Sequence, residues 1–278
     1  MTGSTFTLLV GAGSLLAGLL GAITGLGGGV VVVPLLALVF GVDVRYAMGA
    51  SLISVIATSS GAAAAYVKEG YSNLRVGMFL EIATTLGAIG GALLSARLPT
   101  SRIAVIFGIV LLASAWFSLR SRRTAAASDA PDRIAARLRM DGSYPSAGGR
   151  EEYHVHAVPL GFGLMFVAGS LSGLLGIGSG ALKVLALDEA MRVPFKVSTT
   201  TSNFMIGVTA AASAGVYLAR GYIDPGVAMP VMLGVLAGTI VGTRILVRAG
   251  SRILRVVFAS ILVVLAAEMI YNGLTGRL

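Results

Sequence analysis

One apolar pattern occurs twice in this chain, and each copy is interrupted at a cluster of glycines. Gly25-Leu26-Gly27-Gly28-Gly29 returns as Gly176-Ile177-Gly178-Ser179-Gly180, an offset of 151 residues. Without a gap, the same offset carries Gly18 to Gly169, Ser51 to Ser202, Tyr66 to Tyr217, Gly70-Tyr71 to Gly221-Tyr222, Gly87 to Gly238 and Gly91 to Gly242. Such a chain is bound to fold as two equivalent halves, each with irregular backbone in the middle of apolar sequence. At membrane depth, irregular backbone survives only where it packs in protein or lines a watery cavity. Paired interruptions in two halves are the best sequence-level pointer to a transporter's binding site.

The apolar runs belong to a membrane. Of the 278 residues 56% are hydrophobic and 12% charged, with mean hydropathy +0.89; soluble domains carry about 25% charged residues. Ionisable groups are costly in hydrocarbon, and the 38 glycines suit close helix contact. The chain therefore reads as an all-α polytopic membrane protein. Its net charge of +9 comes from lysines and arginines between apolar segments, where cytoplasmic loops collect them. The expected partners are the lipid bilayer and a small anionic substrate, not nucleic acid. Without cysteine there is no disulfide, zinc–thiolate site or iron–sulfur cluster, and no cofactor or metal is expected. Phe6–Thr24 lacks a preceding basic region and reads as a retained span rather than a cleaved signal.

Five apolar segments can be drawn in each half: Phe6–Thr24, Gly28–Phe40, Tyr46–Val67, Val76–Leu98 and Ile103–Leu119, then Val155–Leu175, Ser179–Ala190, Val197–Leu218, Ile223–Val247 and Ile253–Tyr271. Crossing a bilayer takes about 20 residues. The second segment of each half is too short, and reads as half of a re-entrant hairpin with the glycine cluster at its tip. Sidedness then decides between inverted and parallel repeats. Arg120, Arg122, Arg123, Arg133, Arg137, Arg139 and Arg150 mark the linker as cytoplasmic. Inverted repeats place Arg192, Lys196, Arg244, Arg248, Arg252 and Arg255 on that same side; parallel repeats put most of them outside. Arg45, Arg97 and Arg102 count the other way. The expectation is two inverted repeats, 1–120 and 155–278, joined by a basic cytoplasmic linker, 121–154. Nothing in the sequence sets an oligomeric state.

Within the linker, Pro131-Asp132 with Ile134 and Leu138 four apart reads as a short amphipathic helix. Leu138–Tyr144 and Glu151–Ala157, flanking Pro145-Ser146-Ala147-Gly148-Gly149, read as a small β-hairpin; a disordered basic tether is the alternative. His154 and His156 alone are too few for a metal site.

The chemistry of the breaks favours anions. A helix restarting after Gly27-Gly28-Gly29, or after Gly178-Ser179-Gly180, presents unpaired N–H groups at its positive end. Two such breaks facing each other would suit a small oxyanion. Ser51 and its equivalent Ser202, with Thr201 and Asn203 in the run Ser198–Asn203, add hydroxyls and an amide that bind without the grip of a full charge. Serine and threonine also bond back to helix carbonyls, and for Ser51 both readings stay open. Lys183, where the first half has Val32, either strengthens anion binding or snorkels to the surface. Glu81 is the acid best placed for proton coupling, or else pairs with a base at the membrane edge. Gly87, Gly91, Gly234, Gly238 and Gly242 form small-xxx-small stripes for helix packing. Within the membrane segments there is no cysteine or histidine and no paired carboxylates, so no enzyme is indicated.

These residues resemble a known family. Gly25-Leu26-Gly27-Gly28-Gly29 followed by Val33-Pro34-Leu35, and Gly176-Ile177-Gly178-Ser179-Gly180 followed by Thr201-Ser202-Asn203-Phe204-Met205-Ile206-Gly207-Val208-Thr209, look like the sulfite exporter TauE/SafE family. The resemblance covers both halves outside the linker. It implies a prokaryotic inner-membrane permease that moves sulfite, sulfoacetate or related sulfonates outward as a secondary transporter, by alternating access. An importer or a passive channel for another small anion is the alternative. One departure stands out: the family tends to carry proline after the second break, where this chain has Leu185, so the two half-helices need not bend alike.

Overall fold

Lipid offers backbone amides no partner, so apolar runs of this length must satisfy their own hydrogen bonds as helices. The structure, a computed structural model, describes residues 3–24, 28–68, 70–119, 132–146, 149–246 and 251–277. In the first half, α1 is Gly3–Thr24, α2 is Gly29–Pro34, α3 is Val44–Lys68, α4 is Leu74–Ser95 and α5 is Thr100–Leu119. In the linker lie α6 (Arg133–Arg137), β1 (Gly142–Ser146) and β2 (Gly149–Tyr153). The second half repeats the first: α7 is Val158–Leu175, α8 Gly180–Leu185, α9 Phe195–Ala219, α10 Pro225–Leu246 and α11 Ser251–Thr275. Among the described residues, α4, α7, α9 and residues 225–242 of α10 are long and apolar enough to cross a membrane.

The short helices agree in an unexpected detail. Each passes directly into a π-helical turn, Leu35–Val39 after α2 and Ala186–Ala190 after α8. The first turn follows Pro34 and the second Leu185, so proline is not its cause, and the departure from the family pattern leaves the bend unchanged. Both short helices double back along the helix before them. Phe40 meets Phe6 with ring centroids 6.1 Å apart, and the His156 N–H donates to Met191 O at 3.0 Å.

The long helices pair between halves: α1 with α10, α4 with α7, α3 with α9, and α5 with α11. The sequence of contacts along each pair gives its direction. Gly234 faces Gly11 and Gly238 faces Leu15, so α1 and α10 run parallel. Gly87 faces Phe166 and Gly91 faces Ser170, so α4 and α7 also run parallel. Met48 meets Tyr217 while Ser59 meets Gly207, making α3 and α9 antiparallel. Gly273 lies at Ser101 and Gly108 at Ala266, so α5 and α11 are antiparallel too. The glycine stripes set the spacing: a Cβ on Gly91 would overlap Ser170 O, and one on Gly173 would overlap Ala88 O. Leu8, Leu16, Met78, Ile82, Leu86 and Trp116 are exposed on the outside, where lipid would cover them.

The described part of the linker, from Asp132 onward, forms a short helix and a two-stranded ladder, with its parts shifted from the expected places. Pro145, Ser146, Gly149 and Arg150 lie within the strands rather than the turn. A two-stranded ladder leaves outer edges free, and there proline loses no partner. The ends expected to be strand are used otherwise: Arg139 and Ala157 take left-handed φ of 52° and 47°, closing α6 and opening α7. Ile134 and Leu138 face outward, and α6 instead rests on the buried Ala135, whose small side chain permits close approach. Asn73 holds the hairpin to the start of α4, its Nδ2 donating to Met140 O and to the Tyr153 hydroxyl, both at 2.8 Å. Asp132 caps α6 by accepting from Ile134 N (2.8 Å) and anchors α7 by accepting from Val158 N (3.2 Å). His154 pairs with Asp141 at 3.2 Å.

This packing can be probed at the helix stripes and at the linker anchor. Gly91→Val drives a side chain into the α7 backbone and should cost about 3 kcal/mol or more, the upper end of overpacking, whereas Gly90→Ala, with nothing within 4 Å, should leave thermal stability in detergent unchanged or raised. The amide donors of Ile134 and Val158 hold the Asp132 carboxyl below its usual 3.8. Its anchoring is therefore complete above that value and lost as pH falls through the lowered one. Limited proteolysis should find the linker of Asp132→Ala more easily cut at neutral pH, and the native linker more easily cut only in acid.

Candidate functional site

The second break holds three residues of left-handed backbone. Gly176, Gly178 and Ser179 have φ of 68°, 73° and 45°. Glycine adopts this conformation freely, whereas a side chain costs about 1–2 kcal/mol there. Ser179 accepts that strain while its hydroxyl, 3% exposed, has no hydrogen-bond partner. Gly27, named from the sequence as part of the first break, lies outside the described residues, as do Gly25 and Leu26; Gly28 and Gly29 are described, and Gly29 is buried. After each break the first turn begins anew: Val31 N and Val32 N donate to Gly28 O, and Lys183 N donates to Ser179 O. The amides of Gly29, Val30 and Gly180 precede these bonds and have no acceptor within their own helix.

The two breaks meet. Ser51 Oγ, on α3, lies 2.8 Å from Gly176 O and 3.3 Å from Gly29 O, one carbonyl from each break. A Cβ on Gly29 would stand 2.8 Å from Val55 and 3.6 Å from Ile177 Cα. One on Gly178 would stand 2.9 Å from Ile206 and 3.0 Å from Val55. Val55 thus fills the gap between the tips. On α9, Ser202 repeats the arrangement, donating to Gly180 O at 3.3 Å. Both serines spend their protons on break carbonyls, the back-bonding alternative in a longer-range form.

The rest of the polar run divides around α9. Thr200 donates to Tyr71 O at 3.0 Å, and Thr201 accepts from Asn73 N at 3.0 Å, so these two fasten α9 to the α3–α4 connection. Asn203 is half-buried. Lys183 is completely buried, which removes the snorkelling alternative. Its Nζ donates to Met205 O at 3.2 Å and to Thr209 Oγ1. The Thr209 hydroxyl in turn lies 2.7 Å from Glu81 Oε1. Two residues chosen separately from the sequence, Lys183 and Glu81, are thereby linked through a third that was not chosen. Thr209 could have been found: it matches Thr58 at the repeat offset and stands alone in an apolar stretch.

Residues 10–269 match the family described as sulfite exporter TauE/SafE. The chain belongs to that family. Among curated proteins it is 27% identical to the probable membrane transporter protein YunE of Bacillus subtilis, over 97% of this chain and 99% of the relative. A probable membrane transporter protein of Xylella fastidiosa is 26% identical over 98% of each. One from Methanocaldococcus jannaschii is 25% identical over 91% of each. No solved structure matches. Family, relatives and apolar helices together make this TauE/SafE protein a multi-pass membrane transporter.

Removing the bridging hydroxyl tests how far the breaks depend on it. Ser51→Ala leaves the buried Gly176 carbonyl unpaired and should lower unfolding free energy by about 1–3 kcal/mol. Ser60→Ala, exposed and bonded only within its own helix, should change it by less than about 0.5 kcal/mol. Thermal denaturation of the purified protein in detergent compares the two.

Proposed function

We propose that this protein is a secondary transporter that exports a small sulfur-containing anion, such as sulfite or an organosulfonate, by alternating access between two inverted repeats. The observation that carries the reading is the Ser51 hydroxyl standing between a carbonyl of each glycine break, which brings two helix starts of equivalent sequence to one place. First-turn amides at Gly28-Gly29 and Gly178-Ser179-Gly180, the unpartnered Ser179 hydroxyl and the Lys183 cation supply the anion-binding chemistry. Gly27 belongs to this set by sequence alone, as the neighbour of Gly28. Ser51 and Ser202 hold the tips, Thr201 and Asn203 flank Ser202 in the α9 sequence, and Glu81 couples transport to an ion. The tips are buried (Ser51 is 0% and Ser202 1% exposed), as in an occluded state that opens alternately to either side.

Inversion draws support from direction. The equivalent helices α3 and α9 are antiparallel, as are α5 and α11, whereas repeats related by an axis along the membrane normal would align them. Each short helix returns to the level of its predecessor's start, as a re-entrant hairpin does. The linker face carries Arg75, Arg133, Arg137, Arg139, Arg150, Arg192 and Lys196, which points to the cytoplasm. Arg45, counted against this, is held by the fold: it donates to Leu98 O at 2.9 Å and lies over the Tyr222 ring. The named relatives come from prokaryotes, which fits the inner membrane.

Proteoliposomes holding unlabelled sulfite should accumulate labelled sulfite by counterflow. Gly178→Ala, which places a Cβ at φ 73° between Ile206 and Val55, should reduce that flux roughly five- to thirtyfold for about 1–2 kcal/mol of strain while the protein still purifies as a monodisperse species. Wild-type flux in this variant would remove the break from the site. No flux of sulfite or any sulfonate would remove the substrate class.

A further inference from the structure

Lys183, Thr209 and Glu81 form a buried hydrogen-bonded chain across the two halves, and we propose that it carries one proton with each anion. Glu81 is a carboxylate joined to Lys183 through Thr209 while the site is empty, and it takes up a proton when an anion becomes the partner of Lys183. The inference rests on the anion-transport reading above and supplies its coupling ion.

The chain of three has no counterpart in the first half. At the repeat offset, Lys183, Thr209 and Glu81 correspond to Val32, Thr58 and Met232, and Thr58 donates only to carbonyls of its own helix. The same fold therefore closes over apolar residues at the equivalent place, so packing alone does not call for the charges. A buried ion pair is weak support for stability in any case.

The hydrogen bonds permit two arrangements. The single Thr209 proton has two acceptors in reach, Glu81 Oε1 at 2.7 Å and Met205 O at 2.8 Å. With Glu81 ionised, Lys183 donates to Thr209 and Thr209 donates to Glu81. With Glu81 protonated, its O–H donates to Thr209 Oγ1, the threonine turns its proton to Met205 O, and Lys183 keeps its charge for the anion. The proton therefore sits on Oε1, the oxygen within reach of Thr209, while Glu81 Oε2 is buried with no hydrogen-bond partner. Thr85 donates to Oε1 at 3.2 Å and steadies the carboxyl in both states.

Charge balance sets the stoichiometry. The empty site holds one positive and one negative charge. A monoanion alone would leave it with one net negative charge within the membrane, where unpaired charge is heavily penalised. A proton from water on the open side, bound by the Glu81 carboxylate, restores neutrality; release of the anion returns it. Only an O–H bond forms and breaks, and each turnover moves no net charge. The surroundings offer Glu81 no rival partner among described groups. Helix α7 has no ionisable side chain, and on α9 Lys196 is exposed at the first turn while Tyr217 donates to Gly173 O. In the π-helical turn after α8, Glu189 is exposed and Asp188 has interactions of its own. Arg75 donates to the Arg139 carbonyl and Tyr153 accepts from Asn73, both at the start of α4.

The test uses the full chain in proteoliposomes containing a pH-sensitive dye, with membrane potential set by potassium and valinomycin. Labelled sulfite and isethionate, a permanently ionised monoanion, serve as probes. Wild-type efflux should carry one proton per isethionate and ignore the imposed potential. Glu81→Gln should still exchange labelled for unlabelled anion, at a reduced rate, but lose the proton movement. The double variant Lys183→Gln/Glu81→Gln leaves no unpaired buried charge to unfold it and should lose both fluxes. Anion efflux without protons, efflux driven by potential, unchanged proton movement in Glu81→Gln, or wild-type anion flux in the double variant overturns the inference and leaves the transport reading intact. If neither probe moves in wild-type protein, both readings fall.

Discussion

Every unpaired backbone group inside a membrane must find a partner within the protein, and the two glycine breaks are where this chain has groups to spare. Breaking a helix at Gly176 frees carbonyls as well as amides. The Ser51 hydroxyl gives its one proton to Gly176 O with Gly29 O a longer contact beside it, and Ser202 repeats the second of these contacts from the other side. Once the tips are tied in this way, the rest of the architecture has little freedom. The arms of each hairpin must lie back along α1 and α7, and α3 and α9 must cross between them. The glycine stripes on α4, α7 and α10 then let the outer helices approach to backbone contact.

The symmetry of the arrangement is a symmetry of packing and not of chemistry. The equivalent π-helical turns arise with proline in one half and leucine in the other, so the bend belongs to the hairpin rather than to one residue. Serines at equivalent positions treat equivalent carbonyls alike. Lys183 in one half and Glu81 in the other both have apolar equivalents, Val32 and Met232. Among the described residues, the duplicated scaffold thus carries Lys183 and Glu81, joined through Thr209, between its halves.

The linker adds a second kind of contact between the halves. Asn73 joins the α4 start, the β-hairpin and Thr201 of α9 through its side chain and its own amide. The polar run on α9 is therefore divided, with Ser202 turned to the break and Thr200 and Thr201 turned to the connection before α4. A strict oxyanion role for all of these hydroxyls, as the run of six polar residues invited, overlooks how many loop amides and carbonyls near a membrane surface need partners.

Periodicity and repetition were enough to locate the membrane helices, the two short return arms and the glycine packing stripes, and the motifs at the breaks carried the resemblance to the family. These depend on hydropathy and on glycine's lack of a side chain, both written residue by residue. Strand limits in the linker were less legible, because Pro145 is a turn signal in most settings and an edge-strand residue in this one. Which residues touch across the halves was not legible at all: neither the Ser51 bridge nor the passage from Lys183 through Thr209 to Glu81 has a sequence spacing to announce it. Those contacts exist only because α3, α4, α8 and α9 converge, and hydrogen-bond partnership is set by distance and direction in space rather than by order along the chain.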